Sequence, residues 1–173
     1  MRLMFCLVIL LLASPLAALS RGDPVPSEQL DKLKKLGARI TLDDQKRVIG
    51  VHLGERKVTD ADMVHLRGLQ HLQELDLTRT RITSAGLVNI KDLATLRKLF
   101  LTDTKVDDSG IVHLKGLKTL ALVGLSGTRI TDTGLDHLRA LTGLKQLFCL
   151  GTKVTEAGVE KLQRALPQCQ ITH

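Results

Sequence analysis

Residues Leu72 to Leu93 read LQELDLTRTRITSAGLVNIKDL, and the stretch recurs downstream at a fixed interval of 24 residues. It becomes Leu96 to Leu117, then Leu120 to Leu141, then Leu144 to Ala165, with a weaker copy upstream from Val48 to Leu69. Thr80, Thr104, Thr128 and Thr152 fall in one column. Ile82, Val106, Ile130 and Val154 fall in a second, and Gly86, Gly110, Gly134 and Gly158 in a third. A period kept in register over four copies marks a stacked-repeat solenoid, in which no unit buries its apolar side alone.

Each copy changes period midway. Leu75 and Leu77 share one face of a short strand, because strand side chains alternate from face to face. After Ile82, the spacing Leu87, Ile90, Leu93 is the stripe of a short helix or helical turn. Thr83, Asp107, Thr131 and Thr155 stand just ahead of that stripe, where a side-chain oxygen caps orphan backbone N–H groups. Asp60, Asp108, Asp132 and Glu156 follow one residue later, at the positive end of the helix.

These columns resemble the leucine-rich repeat pattern L-x-x-L-x-L-x-x-[N/T/C]-x-L, and most closely the subclass that continues T-x-[IV]-T-D-x-G-[LI]-x-x-L-x-x-L. That subclass occurs in exported bacterial repeat proteins and in F-box-associated substrate receptors. The resemblance covers Val48 to about Ile171. It implies an α/β solenoid, a short right-handed horseshoe arc with a parallel sheet on the concave face and helices on the convex face. It also implies a binding role without catalysis. Family members often carry asparagine where this chain has its threonine column, bonding the backbone of adjacent turns, and a threonine hydroxyl is expected to do part of that. Arg56, Asp62 and Cys149 depart from the columns, as end repeats commonly do.

Outside the repeats the chain is punctuated differently. Arg2 precedes an uncharged run from Leu3 to Leu19, and Ala18-Leu19-Ser20 offers small residues for a cut after Ser20. Residues 1–20 therefore read as a secretory signal peptide, with an uncleaved membrane anchor as the alternative. Residues 21–47 read as a linker and N-terminal cap. Ser27 caps a helix lined by Leu30, Leu33 and Leu36, Gly37 stops it, and a hairpin turns at Asp43-Asp44-Gln45-Lys46. Five repeats fill 48–165, and 166–173 close the other end with Pro167 terminating a helix and Ile171 at the core column. With 43% apolar and 25% charged residues, the whole is one globular unit whose core is aliphatic.

Chemistry is scarce in this sequence. No nucleophile elbow, phosphate loop, dinucleotide fingerprint or paired metal-binding motif is present, so an enzyme is not expected and no cofactor is implied. His65, His113 and His137 share a column broken by Asn89, a pattern more typical of exposed helical histidines than of a metal site. Cys149 takes the inward column of Leu77, Leu101 and Leu125. Cys169 falls in the column of Gln73 and Lys145, about 13 Å along the strand from Cys149, too far for a disulfide unless the terminal register shifts.

Two surfaces are candidates for a partner. Between the inward leucines, Asp76, Phe100, Gly124 and Phe148 form one outward column, and Glu74, Lys98, Leu122 and Gln146 another. Phe100 and Phe148, about 10 Å apart across Gly124, make an apolar patch with Leu122 and Leu150, rimmed by Lys98, Asp103 and Gln146. The competing account is the ordinary scatter of exposed apolar residues. Lys57, Arg81, Lys105, Arg129 and Lys153 form a basic column, and Arg67, Lys91, Lys115 and Arg139 a second. They are either charges copied with the repeat, offset by the acidic column, or a seat for an anionic cell-surface polymer, lipid or acidic protein. The net charge is +7, or +6 once Arg2 leaves with the leader. Nucleic acid is disfavoured for an exported chain without an aromatic stacking platform. Two readings follow: an exported protein-binding module working through its concave face, or an envelope-associated structural protein held by basic columns.

Overall fold

The computed structural model describes residues 26–173, so the apolar leader and its cleavage site lie outside the described residues. Helix α1 (Ser27–Lys35) leads into β1 (Arg39–Leu42) and β2 (Val48–His52), an antiparallel pair. Five further strands follow: β3 (Glu74–Asp76), β4 (Lys98–Phe100), β5 (Leu122–Gly124), β6 (Gln146–Phe148) and β7 (Gln170–Thr172). They pair in chain order, and from β2 to β7 every pairing is parallel. The register aligns Val51, Leu75, Leu99, Val123, Leu147 and Ile171 on neighbouring strands, and all but Ile171 are fully buried. The architecture is a leucine-rich repeat solenoid.

The return segments tighten or relax along the chain. They are 3-10 turns at Asp62–Leu66 and Ser84–Asn89, then α2 (Asp108–Ile111) continued as a 3-10 turn, then α3 (Asp132–Leu138) and α4 (Glu156–Ala165). In the first helix, Leu33 enters the core and Leu30 and Leu36 pack against it. Ser27 does not cap this helix. It is the first helical residue, and Pro26 holds the cap position, its carbonyl accepting from the Gln29 and Leu30 amides. A proline there has no N–H of its own to satisfy. Gly37, at φ +82, ends the helix in the left-handed conformation that glycine adopts at little cost.

The cap column works as the sequence implies and does more. Thr83, Asp107, Thr131 and Thr155 each accept a backbone N–H from their own first turn. Asp108, Asp132 and Glu156 lie in the first turn of their own helices, at the positive end, and three acids of the column also bond across to the next repeat. Asp60 accepts the Thr83 amide at 2.7 Å and its hydroxyl at 2.6 Å, Asp108 does the same for Thr131, and Asp132 for Thr155. Each of these three acids thus reaches forward and ties down the cap of the next repeat, whereas Glu156 bonds His173. Between the second and third repeats the pair is inverted: Ser84 takes the acid's place, Asp107 takes the threonine's, and their side chains bond at 2.6 Å. The hydroxyls of Ser109 and Ser84 hold the Asp107 carboxyl below its ordinary range.

The glycine column follows from this. A Cβ at Gly86 would stand 2.6 Å from Asp60 Oδ1, and those at Gly134 and Gly158 would collide with Asp108 and Asp132. The glycines make room for the preceding repeat's acid. In the first repeat the position is Asp62, which accepts the Thr59 amide and hydroxyl itself. That departure is a local substitute for the missing neighbour.

Two other expectations are corrected. The threonine column does not bridge adjacent turns: Thr80, Thr104, Thr128 and Thr152 donate to Leu77, Leu101, Leu125 and Cys149 of their own turn, at 2.6–2.7 Å. The hydroxyl is too short to reach the next repeat. Cys169 is buried, although its column mates Gln73 and Lys145 are exposed, and Gln168 is exposed in the column of the buried leucines Leu72, Leu96, Leu120 and Leu144. The chain slips by one residue beyond Pro167, then regains register at Ile171 beside Leu147. Both cysteines are free and buried, and burial pushes each thiol up to about 11.

Candidate functional site

The strand register places the outward columns side by side. Asp76, Phe100, Gly124 and Phe148 are successive partners, as are Glu74, Lys98, Leu122 and Gln146. Phe100, Leu122 and Phe148 are half-buried, and Leu150, in the turn after β6, is 50% exposed. Phe100 lies against the gap left by Gly124: a Cβ there would be 3.3 Å from Phe100 Cδ1 and 3.3 Å from Thr102 Oγ1. Lys98 Nζ bonds Glu74 Oε2 at 3.1 Å, so its charge is partly matched. Asp76 Oδ1 accepts the Thr78 amide at 2.9 Å and borders the patch through its neighbour Phe100.

Beside this patch lies a groove of ≈ 830 Å³ along the entry of β4 to β7. Arg97 and Lys145 flank Ala121 and Leu122, and Pro167 closes the far end. Neither Arg97 nor Lys145 has an ion-pair partner among the described residues. The sequence columns alone do not mark this groove. The available signal was that one repeat carries small residues at Ala121, Gly124 and Gly127, where its neighbours carry larger ones on at least one side.

At the far edge of the sheet, Glu55, Arg79, Asp103, Gly127 and Gly151 share a column, and all have φ between 54 and 67. The three charged residues accept this left-handed conformation while forming a ladder. Arg79 bonds Asp103 at 3.2 Å and Glu55 at 3.1 Å, and those carboxylates raise its guanidinium above the ordinary arginine value. Asp103 also covers Gly127.

Lys57, Arg81, Lys105, Arg129 and Lys153 are all exposed, and none forms an ion pair among the described residues. No acid of the acidic column pairs directly with them among the described residues: Asp60, Asp108 and Asp132 are bonded to the threonine caps, and Glu156 bonds His173. Backbone bonds hold the basic column in line: the amides of Arg81, Lys105, Arg129 and Lys153 each donate to the preceding repeat. On the helical side, Val64, Val88 and Val112 form an exposed column that the leucine spacing did not suggest. No group of three or more metal-ligating side chains occurs among the described residues, and no described helix is long and apolar enough to cross a membrane.

A family model described as "Leucine Rich repeat" matches residues 68–91. No curated protein matches the chain significantly. Among solved structures, an internalin from Listeria monocytogenes is similar at TM-score 0.62 and 23% identity, over 73% of this chain and 34% of that one. The ectodomain of the Arabidopsis thaliana receptor kinase GASSHO1/SCHENGEN3, solved with CASPARIAN STRIP INTEGRITY FACTOR 2, is similar at TM-score 0.51 and 17% identity, over 77% and 19%. The BIR3–SERK2 complex from the same plant gives TM-score 0.50 and 19% identity, over 69% and 64%. The chain thus spans about a third of the internalin and a fifth of the GASSHO1 ectodomain. These likenesses establish the fold.

Proposed function

We propose that this leucine-rich repeat solenoid is an exported, non-catalytic module that binds a protein partner on its sheet face. Phe100, Leu122, Phe148 and Leu150 are the anchors, with Lys98 and Asp76 at the rim. The observation that carries this is the placement of two aromatic side chains on the outward face, either side of a glycine, where they contribute little to the core. Aromatic anchors surrounded by polar groups are what a binding hot spot requires. The similar BIR3–SERK2 pair, itself a protein complex, is in keeping with this use of the fold. Export is proposed from Arg2 and the uncharged run that follows it. The test is capture from a cell-envelope extract with quantitative identification of the bound proteins. A Phe100→Ala/Phe148→Ala variant is expected to lose at least tenfold of what the parent retains; an unchanged set of bound proteins overturns the assignment. N-terminal sequencing of the mature chain checks the export step.

The exposed and unpaired column from Lys57 to Lys153 favours a second reading, attachment to an anionic polymer or lipid surface of the envelope. It requires retention on anionic vesicles at low salt that disappears at physiological salt. Absent or salt-insensitive binding excludes it.

A further inference from the structure

We infer that the groove across the strand entries receives an amphipathic helix of a protein partner, acidic at positions i and i+7 and apolar between them, which makes the sheet-face reading specific and rests on it. The groove of ≈ 830 Å³ crosses the entries of β4 to β7 rather than following any one strand. Arg97 and Lys145 share a strand column with Ala121 between them, so the two cations stand two strand spacings, about 10 Å, apart. Ala121 is short where both its neighbours are long, and with Leu122 it leaves an apolar floor between the charges. No carboxylate lines the groove. Lys98 is matched by Glu74 Oε2 at 3.1 Å, whereas Arg97 and Lys145 have no ion-pair partner among the described residues.

The backbone restricts how a partner is held there. The Ala121 and Leu122 amides both donate to the Arg97 carbonyl, and the Lys145 and Gln146 amides to that of Ala121. A partner adding a strand would find these groups already used, so recognition falls to side chains. Spacing then separates a helix from an extended chain. Same-face residues of an extended segment lie about 7 or 13 Å apart, and neither distance matches the two cations. Residues i and i+7 of a helix share one face about 10 Å apart, with i+3 and i+4 between them. Carboxylates at those two positions each meet a cation that has no competing acid, in the strong class of charged hydrogen bond. Apolar side chains at i+3 and i+4 then rest on Ala121 and Leu122. From β4 to β7 the groove crosses three strand spacings, about 14 Å, which is the length of about nine helical residues. The exposed side chains of Gln146, Gln168 and Gln170 supply polar contacts along the same groove without adding charge.

The test is selection, on the folded chain, of an alanine-based library of about 18 residues, long enough to be helical, with positions i, i+3, i+4 and i+7 randomised. Fluorescence anisotropy then measures the enriched peptides. They are expected to carry Asp or Glu at i and i+7, and Leu, Ile, Met or Phe at i+3 or i+4. Moving the second acid to i+5, off that face, or placing proline in mid-helix should cost at least tenfold in affinity. Arg97→Glu/Lys145→Glu should cost at least tenfold as well, and lysine at i and i+7 should restore binding to that variant. Ala121→Leu fills the floor and should weaken binding at least fivefold at an unchanged urea midpoint, because the same column already carries Arg97 and Lys145. Enriched peptides without acids, undiminished binding of the proline-broken peptide, affinities unmoved by charge reversal, or no enrichment at all would overturn the inference. In any of those cases the Phe100→Ala/Phe148→Ala capture decides the broader reading separately. Loss of the captured envelope proteins leaves the sheet-face reading standing, and an unchanged set sinks both.

Discussion

The helical-side turns and the sheet face are made from the same 24-residue unit, but they treat variation in opposite ways. At the turns a change in one repeat is answered in the next: where Asp becomes Ser84, the facing Thr becomes Asp107, and the hydrogen bond survives reversed. On the sheet face a change is not answered in kind. Phe100, Gly124 and Phe148 follow one another, and the Phe100 ring leans against the glycine without restoring a uniform row. Positions that compensate are holding the stack together. Positions that vary freely, yet gather aromatics and unpaired cations, are the ones we propose a partner uses.

That contrast breaks most visibly at the glycine column. Gly134→Ala puts a methyl where the Asp108 carboxylate sits, and should cost about 3–4 kcal/mol in urea unfolding. Gly116→Ala, whose nearest neighbour would be a carbonyl 3.8 Å away, should be close to neutral in the same assay. A stabilised Gly134→Ala would mean that the acid does not need the space.

The core shows the contrast at its C-terminal end, where thiols replace leucine. Cys149 and Cys169 ionise near 9 when unfolded and about 11 when folded, chiefly because burial disfavours the thiolate. Below pH 9 both states hold these protons and nothing is lost. As pH rises from 9 toward 11 the unfolded chain releases them first, so stability falls, by about 2–3 kcal/mol for the pair near pH 10. A Cys149→Leu variant should lose about half of that slope. Equal slopes in parent and variant would show that other groups cause it.

The inverted junction gives the next largest effect. Ser84→Asp faces two carboxylates at one contact and should destabilise by about 2 kcal/mol, and adding Asp107→Thr should recover most of it. Purely additive losses would mean the two positions are independent. Smaller still, Gly151→Ala has open space around its Cβ but φ +65, and should cost about 1 kcal/mol from backbone strain alone.

Much of the fold was visible in the sequence because its periods are physical ones. Leu75, Leu99, Val123 and Leu147 recur where strands must align, and Thr83, Thr131 and Thr155 stand where helical turns need acceptors. The forward reach of Asp60, Asp108 and Asp132 was hidden, because a column shows which residues recur but not which neighbour each one touches. Cys169 was misplaced because a one-residue slip after Pro167 reverses which side faces inward. On the sheet face, the aromatic column could be read by counting alternate residues. The groove could not, since it depends on what Ala121 lacks and on where the closing turn carries Pro167.

The reversed Ser84–Asp107 contact also fixes the order in which the units can follow one another. Excising residues 61–84 would bring Asp60 against Asp107, acid against acid, whereas excising 85–108 would bring Ser84 against Thr131, two hydroxyls that can still share a proton. Shortening this chain by one unit is therefore forgiving on one side of the joint and punishing on the other. Units that look interchangeable in outline carry a lock that admits only certain successors.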